Sequence, residues 1–335
     1  MSSFSLFFLQ SKSLQPIHLS IYGMRRNALL AMAALMAGVG VSCRQAAVPA
    51  PADWVPDYAA FSGERALAET VALAEIVPRV ANTPGSVRAA EHLAGRFRSV
   101  GVVPQIEAFG DPIPGGTGTF RNVSVEIPGT GSNLVLLVAH YDTKGGIGDG
   151  FMGANDSGSG MGVLIELARL LATASPPPWT VRLVGVDGEE CALDYGPCDG
   201  LHGSRHEAAR LRREGAAGRV RAVILLDMVG DRDLTLTLPR NGTPELLQAV
   251  FDAARAADVR NRVSLFDGAM LDDHVPFLAA GMPAVDLIDF QYGARPGENN
   301  YWHTLDDTPD KLSAASLQHV GQIVLRMLAG LTRQQ

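Results

Sequence analysis

The chain has 335 residues, of which 47% are hydrophobic, 6% aromatic and 19% charged, a make-up that excludes a disordered chain, a collagen and a coiled coil. Its 28 Lys+Arg against 35 Asp+Glu give a net charge of -7, with no basic run beyond the N-terminal segment, so nucleic acid is excluded as a partner. Three cysteines without a CxxC pair are too few for a disulfide scaffold and rule out a zinc ribbon, so any zinc must be held by histidine and carboxylate.

Residues 1–23 carry no helical or strand period. Met24-Arg25-Arg26 then precedes an apolar run from Ala28 to Val41, followed by Ser42 and Cys43. A basic start, a short apolar run and small residues after it mark a secretory signal. The run is shorter than the ~20 residues that span a bilayer. The expectation is that residues 1–23 are an over-extended start and 24–43 an export signal. The mature protein is then periplasmic or secreted, or a lipoprotein held to the membrane through Cys43. Gly40 departs from the Leu usual in a lipidation signal, so plain cleavage stays open. Residues 44–60 are Ala/Pro-rich and read as a tether, with the catalytic domain over 61–335.

Helical spacing covers Arg65 to Val77, and Pro84-Gly85-Ser86 opens a second helix through Arg98. Val123 to Ile127 alternates as a strand does. Asn133 to Ala139 is a continuous apolar run, as in a strand covered on both faces. A helix over Gly160–Ala172, a strand over Thr180–Val186, a helix over Ser204–Arg213 and a strand over Ala222–Leu226 follow. Leu234 to Leu238 alternates, Pro244–Ala257 is helical, Ala284–Ile288 is a short buried strand, and Lys311–Leu331 is a closing amphipathic helix. Strands interleaved with helices predict a three-layer α/β domain with a mostly parallel sheet, which binds ligands at the carboxyl ends of its strands.

The polar residues fall at those ends. The Asn133–Ala139 strand runs into His140-Tyr141-Asp142, and a Gly-rich loop leads to Asn155-Asp156. The Thr180–Val186 strand runs into Asp187-Gly188-Glu189-Glu190, the next into Asp227, and a later loop offers Tyr301-Trp302-His303. Singly, each has a bland explanation: a core histidine, an N-cap, a turn former, a solvated pair of glutamates. Together they suit zinc with an open coordination position. Adjacent Glu189 and Glu190 leave a strand end in different directions, so one can bind metal while the other moves protons.

HYDTK (140–144), GANDSGSG (153–160), DGEE (187–190), LLDMVG (225–230) and YWHTLDD (301–307) resemble the zinc aminopeptidase and glutaminyl cyclase superfamily, in order and over most of the chain from residue 61. The resemblance implies a zinc exopeptidase-like single α/β domain around a mixed, twisted sheet. It implies Asp156, Glu190 and His303 as zinc ligands and Glu189 as general acid/base. His140 and Asp227 match the positions that hold a second zinc in the aminopeptidases, so one zinc is expected and two remain open.

Lys144 directly after HYDT, the segment Leu271–Phe277 with Asp272 and Asp273, and Trp302 before His303 resemble the glutaminyl-peptide cyclotransferase branch. In that branch Asp272 would share protons with Asp227 and Glu189, Trp302 would wall the substrate, and Lys144 would face it. Peptide and protein N-termini are the expected substrates. LHGSRHEAA (201–209) also resembles the cyclases. The alternatives are a metallo-aminopeptidase and a non-catalytic domain that kept the fold, whose signature would be loss of a ligand or of Glu189. His202 and His206 share a helical face but lack a third ligand, and so read as surface residues. GSGMG (158–162) lacks the Lys-Ser/Thr of a phosphate loop, and no GxSxG surrounds Ser157 or Ser159. Cys191 and Cys198 would be the pair left for a disulfide in an oxidising compartment.

Overall fold

The structure, a computed structural model, describes residues 54–332. In chain order its helices are α1 (Gly63–Ala74), α2 (Pro84–Ser99), α3 (Gly160–Thr173), α4 (His202–Arg213), α5 (Pro244–Ala256), α6 (His274–Ala279) and α7 (Ala314–Leu331). Its strands are β1 (Gln105–Ile113), β2 (Gly116–Ile127), β3 (Leu134–His140), β4 (Thr180–Val186), β5 (Val220–Asp227), β6 (Leu236–Leu238), β7 (Val263–Leu265) and β8 (Ala284–Ile288). A six-stranded sheet has the order β1-β2-β4-β3-β5-β8, and β6 and β7 pair separately. The β1–β2 and β2–β4 pairings are antiparallel, and those of β3 with β4 and β5, and of β5 with β8, are parallel.

The continuous apolar run predicted as a doubly covered strand is so covered. Along β3, Val135, Leu137 and Ala139 join the core made with α1, α2, α3, α5 and α7, while Leu134, Leu136 and Val138 join a second core under α4 and α6. Because side chains alternate across a strand, both faces must be apolar when both carry helices. From central β3 the chain crosses through α3 to β4 on one side, then returns through α4 to β5 on the other. This reversal makes a switch-point crevice at the carboxyl ends of β3, β4 and β5.

Most predicted elements stand within a few residues of their expected bounds. β1 and β7 escaped the sequence reading. β1 is an edge strand with Gly110, Pro112 and acidic residues, and none of its residues is fully buried, so it lacks the apolar signature of an inner strand. The closing helix starts at Ala314, with Ser313 capping it, because Lys311 belongs to a separate 3-10 turn. The expected tether to residue 60 is too long. Trp54 is buried, its indole Nε1–H donating to the Ser175 carbonyl, and Tyr58–Ala60 forms a 3-10 turn capped by Asp57. Residues 1–53, with the expected export signal and Cys43, lie outside the described residues. No described helix is long and apolar enough to cross a membrane.

Candidate active site

β3 delivers His140 as its last residue and β5 delivers Asp227. After β4 the chain turns at Gly188, whose φ of +73° is costly for any residue with a Cβ. The Asp142 carboxylate then accepts the backbone N–H of Glu189 (3.1 Å) and of Glu190 (3.3 Å). Held so, the two side chains part. Glu189 Oε1 accepts the Tyr195 hydroxyl at 2.9 Å, and Glu190 Oε1 lies 3.0 Å from His303 Nε2.

Asp156 sits in the loop between β3 and α3. Asp307 accepts the backbone N–H of Asn155 (2.7 Å) and of Asp156 (3.1 Å), and also the Tyr292 hydroxyl at 2.9 Å. The same loop is braced by fully buried Arg79, which donates to the carbonyls of Tyr141, Met152 and Gly153. Gly153 is required there: a Cβ would stand 2.3 Å from the Asp156 carbonyl oxygen, at a φ of +51°. His303 itself has a φ of +53°, uncommon for a side-chain-bearing residue and typical of strain kept at functional positions.

Asp156, Glu190 and His303 each bring a ligand atom within 4.8 Å of the others, and so do His140, Asp156 and Asp227. Asp156 therefore stands between two potential cation positions, 3.2 Å from His303 Nε2 on one oxygen and 3.2 Å from His140 Nε2 on the other. The donor set fits zinc: two imidazoles and carboxylates, buried at strand ends, with no thiolate. Glu190 Oε2 is buried without a hydrogen-bond partner among the described residues, which is costly unless a further group takes it up.

Burial alone would raise Asp156, yet hydrogen bonds from His140 and His303 hold it well below the usual carboxylate range. Burial pushes Glu189 well above that range, and the neighbouring Glu190 charge adds to it. Burial also lifts Asp227, to about 7. Burial would lower His303, but the carboxylates of Asp156 and Glu190 raise it to about 10. The cluster therefore favours a positive charge between those two carboxylates and gives Glu189 a raised proton affinity, as a group that takes up and passes on protons needs.

The structure brings the expected residues to one rim, with differences in detail. Asp272 is buried beside the site, but the expected sharing with Asp227 and Glu189 is not by direct hydrogen bonds: Asp227 faces His140 at 3.2 Å, Glu189 takes Tyr195, and Asp272 lies against Asp286 and His274. Lys144, expected to face the substrate, has its Nζ donating to the Cys191 carbonyl at 2.7 Å and 3.5 Å from Glu190 Oε2, so it braces Glu190. Trp302 is 36% exposed and stacks on His303 with ring centroids 4.1 Å apart, its edge against Phe290.

Two expectations are corrected. Cys191 and Cys198 are free thiols, the first buried and the second exposed. Asp199 closes their segment instead, its carboxylate accepting the N–H of Ala192, Leu193 and Asp194. His202 is buried, not superficial: it stacks on Phe120 and pairs with Asp111 at 2.6 Å, while half-buried His206 stacks on Phe109 and pairs with Glu107. These rings fasten α4 to the β1–β2 hairpin. Sequence reading also missed Tyr195, Asp142, Asp307 and Asp286. Asp142 and Asp307 lie inside the quoted motifs HYDTK and YWHTLDD; Tyr195 has no motif to flag it.

The sequence profile of peptidase family M28 matches residues 122–328. A glutaminyl-peptide cyclotransferase-like protein of Bos taurus is 30% identical over 76% of this chain and 72% of its own. Among solved structures, an Acidobacteriales bacterium glutaminyl cyclase is 34% identical, with a TM-score of 0.78 over 86% of this chain and 100% of that one. A Zn-dependent exopeptidase from Parabacteroides distasonis is 25% identical, with a TM-score of 0.71 over 82% of this chain and 99% of its own.

Proposed function

Since the chain belongs to peptidase family M28, we propose that it is a zinc-dependent glutaminyl-peptide cyclotransferase, converting the N-terminal glutamine of peptides to pyroglutamate with release of ammonia. The observation that carries this is the likeness to the Acidobacteriales glutaminyl cyclase over the whole of that chain, at 34% identity. The separation of Glu189 from the cluster of Asp156, Glu190 and His303 supports it, because it leaves one carboxylate free for protons.

Asp156, Glu190 and His303 would hold the zinc, which supplies a Lewis acid for the glutamine side-chain carbonyl. The residues of the chain do the rest. The nucleophile is the substrate's own α-amine, so positioning, not activation of water, is the main demand. Trp302, half exposed beside His303, offers a flat wall for the glutamine side chain. Glu189, buried and hydrogen-bonded by Tyr195, takes a proton from the attacking amine and passes it to the departing ammonia. Asp227 and Asp272, buried nearby, carry the protons that keep so many carboxylates together tolerable. Lys144 steadies Glu190.

One zinc per chain is proposed, with His140 engaging Asp156 and Asp227 directly at 3.2 Å each. The second reading, a two-zinc aminopeptidase, has a specific support: the same three residues form a ligand set of their own. Ammonia release from a glutamine-leading dipeptide, lost on chelation and restored by zinc, tests the proposal. No ammonia from zinc-loaded protein would overturn it.

A further inference from the structure

On the far side of Tyr195 from Glu189 lies an apolar groove of about 610 Å3 between α4 and the Leu271–Ala280 segment. Leu201, Ala208, Val275 and Ala280 wall it, and Leu271, 50% exposed, stands at its edge. It borders the active site: Tyr195, whose hydroxyl holds Glu189 Oε1, and Leu271, which precedes buried Asp272, both line it. Arg205, Arg212 and Arg213 line the same groove. Arg212 and Arg213 are exposed and have no ion-pair partner among the described residues. Arg205 divides its guanidinium between Asp111 at 3.2 Å and the Gly196 carbonyl at 2.7 Å. The carboxylate in the lining, Asp199, is spent on three backbone N–H groups. The rim is therefore positive on a chain of net charge -7. The α4 dipole accounts for basic residues in its last turn, but not for the apolar wall beneath them.

We propose that this groove seats the residues following the N-terminal glutamine, and that it selects peptides with an apolar residue succeeded by acidic ones. The inference rests on the cyclotransferase reading and names its substrate class. A peptide leaving past Tyr195 and Leu271 meets the apolar wall and Arg205, whose charge is shared with Asp111, before the unpaired Arg212 and Arg213 in the last turn of α4, so its own order of side chains should match.

The test compares the zinc-loaded full chain on three substrates: Gln-Ala, Gln-Ala-Leu-Glu-Glu amide, and the same pentapeptide with Lys for Glu. At low salt the acidic pentapeptide should exceed the basic one by about tenfold in kcat/KM, carried mainly by KM and shrinking as salt rises. The double variant Arg212→Glu, Arg213→Glu should reverse that order while turning over Gln-Ala, too short to reach the groove, at the wild-type rate. Ala279→Trp, which fills the groove, should erase the preference without charge reversal. Equal rates for the two pentapeptides, or a preference that survives both variants, would overturn the inference and leave the cyclotransferase intact. Lost binding of the double variant to anionic phospholipid vesicles, with unchanged peptide kinetics, would also overturn it in favour of a membrane-facing role. Absence of ammonia from Gln-Ala would instead refute the cyclotransferase reading and this inference with it.

Discussion

Glu189 and Glu190 show how one covalent step of backbone sends two carboxylates to different partners. Asp142 pins both amides, and the side chains diverge to Tyr195 and to His303. If Glu189 acts only on protons, Glu189→Gln should lose roughly 10²–10⁴-fold or more in kcat while zinc, counted by elemental analysis, stays bound. Glu190→Gln should lose the zinc itself. Metal loss from the Glu189 variant instead would mean the two roles are reversed. Tyr195→Phe removes the hydroxyl from Glu189 Oε1 and should lower kcat by about tenfold, the worth of one hydrogen bond to a charged group. The acidic limb of its pH–rate profile should move upward, since a carboxylate that loses a donor binds its proton more tightly. An unchanged profile would remove Tyr195 from the account. The proposed ligands were legible in sequence because each ends a strand or lies in a motif. Tyr195 was not, because its role depends on a loop folding back through Asp199, an interaction without periodicity.

At the scale of elements, the segment 191–199 shows why cysteine spacing misled. Its closure is done by one carboxylate accepting three amides, which leaves no closure task for a disulfide. The turn after β8 makes a pH prediction. Asp289 accepts the amides of Thr235 and Gln291, yet burial pushes it from 3.8 up to about 7. A folded-state pKa above the unfolded one means stability that is complete below about pH 4 and drains away as pH rises through 7. Chemical denaturation of Asp289→Asn should show a flatter dependence between pH 4 and 8, with about 2–4 kcal/mol less lost over that range. A slope equal to wild type would show that Asp289 is ionised throughout. Inner strands and long helices were legible here because burial imposes a period on them. The β1–β2 hairpin was half legible, since its outer strand is buried on neither face.

For the molecule as a whole, two apolar faces on four parallel strands dictate three layers, and the reversal at β3 dictates where polar residues can gather. That much follows from pattern alone. Which reaction the rim performs does not, because the proposed cyclotransferase and the alternative aminopeptidase would share Asp156, Glu190 and His303 and differ in whether His140 and Asp227 hold a second ion or each other. The distinction is chemical and can be weighed directly. Purified zinc-loaded protein is incubated with a glutamine-leading and a leucine-leading peptide, the products are read by mass spectrometry, and zinc per chain is counted on the same sample. The account predicts loss of one ammonia from the first peptide, no change in the second, and one zinc per chain. Free leucine from the second peptide together with two zincs per chain would contradict it and establish the aminopeptidase.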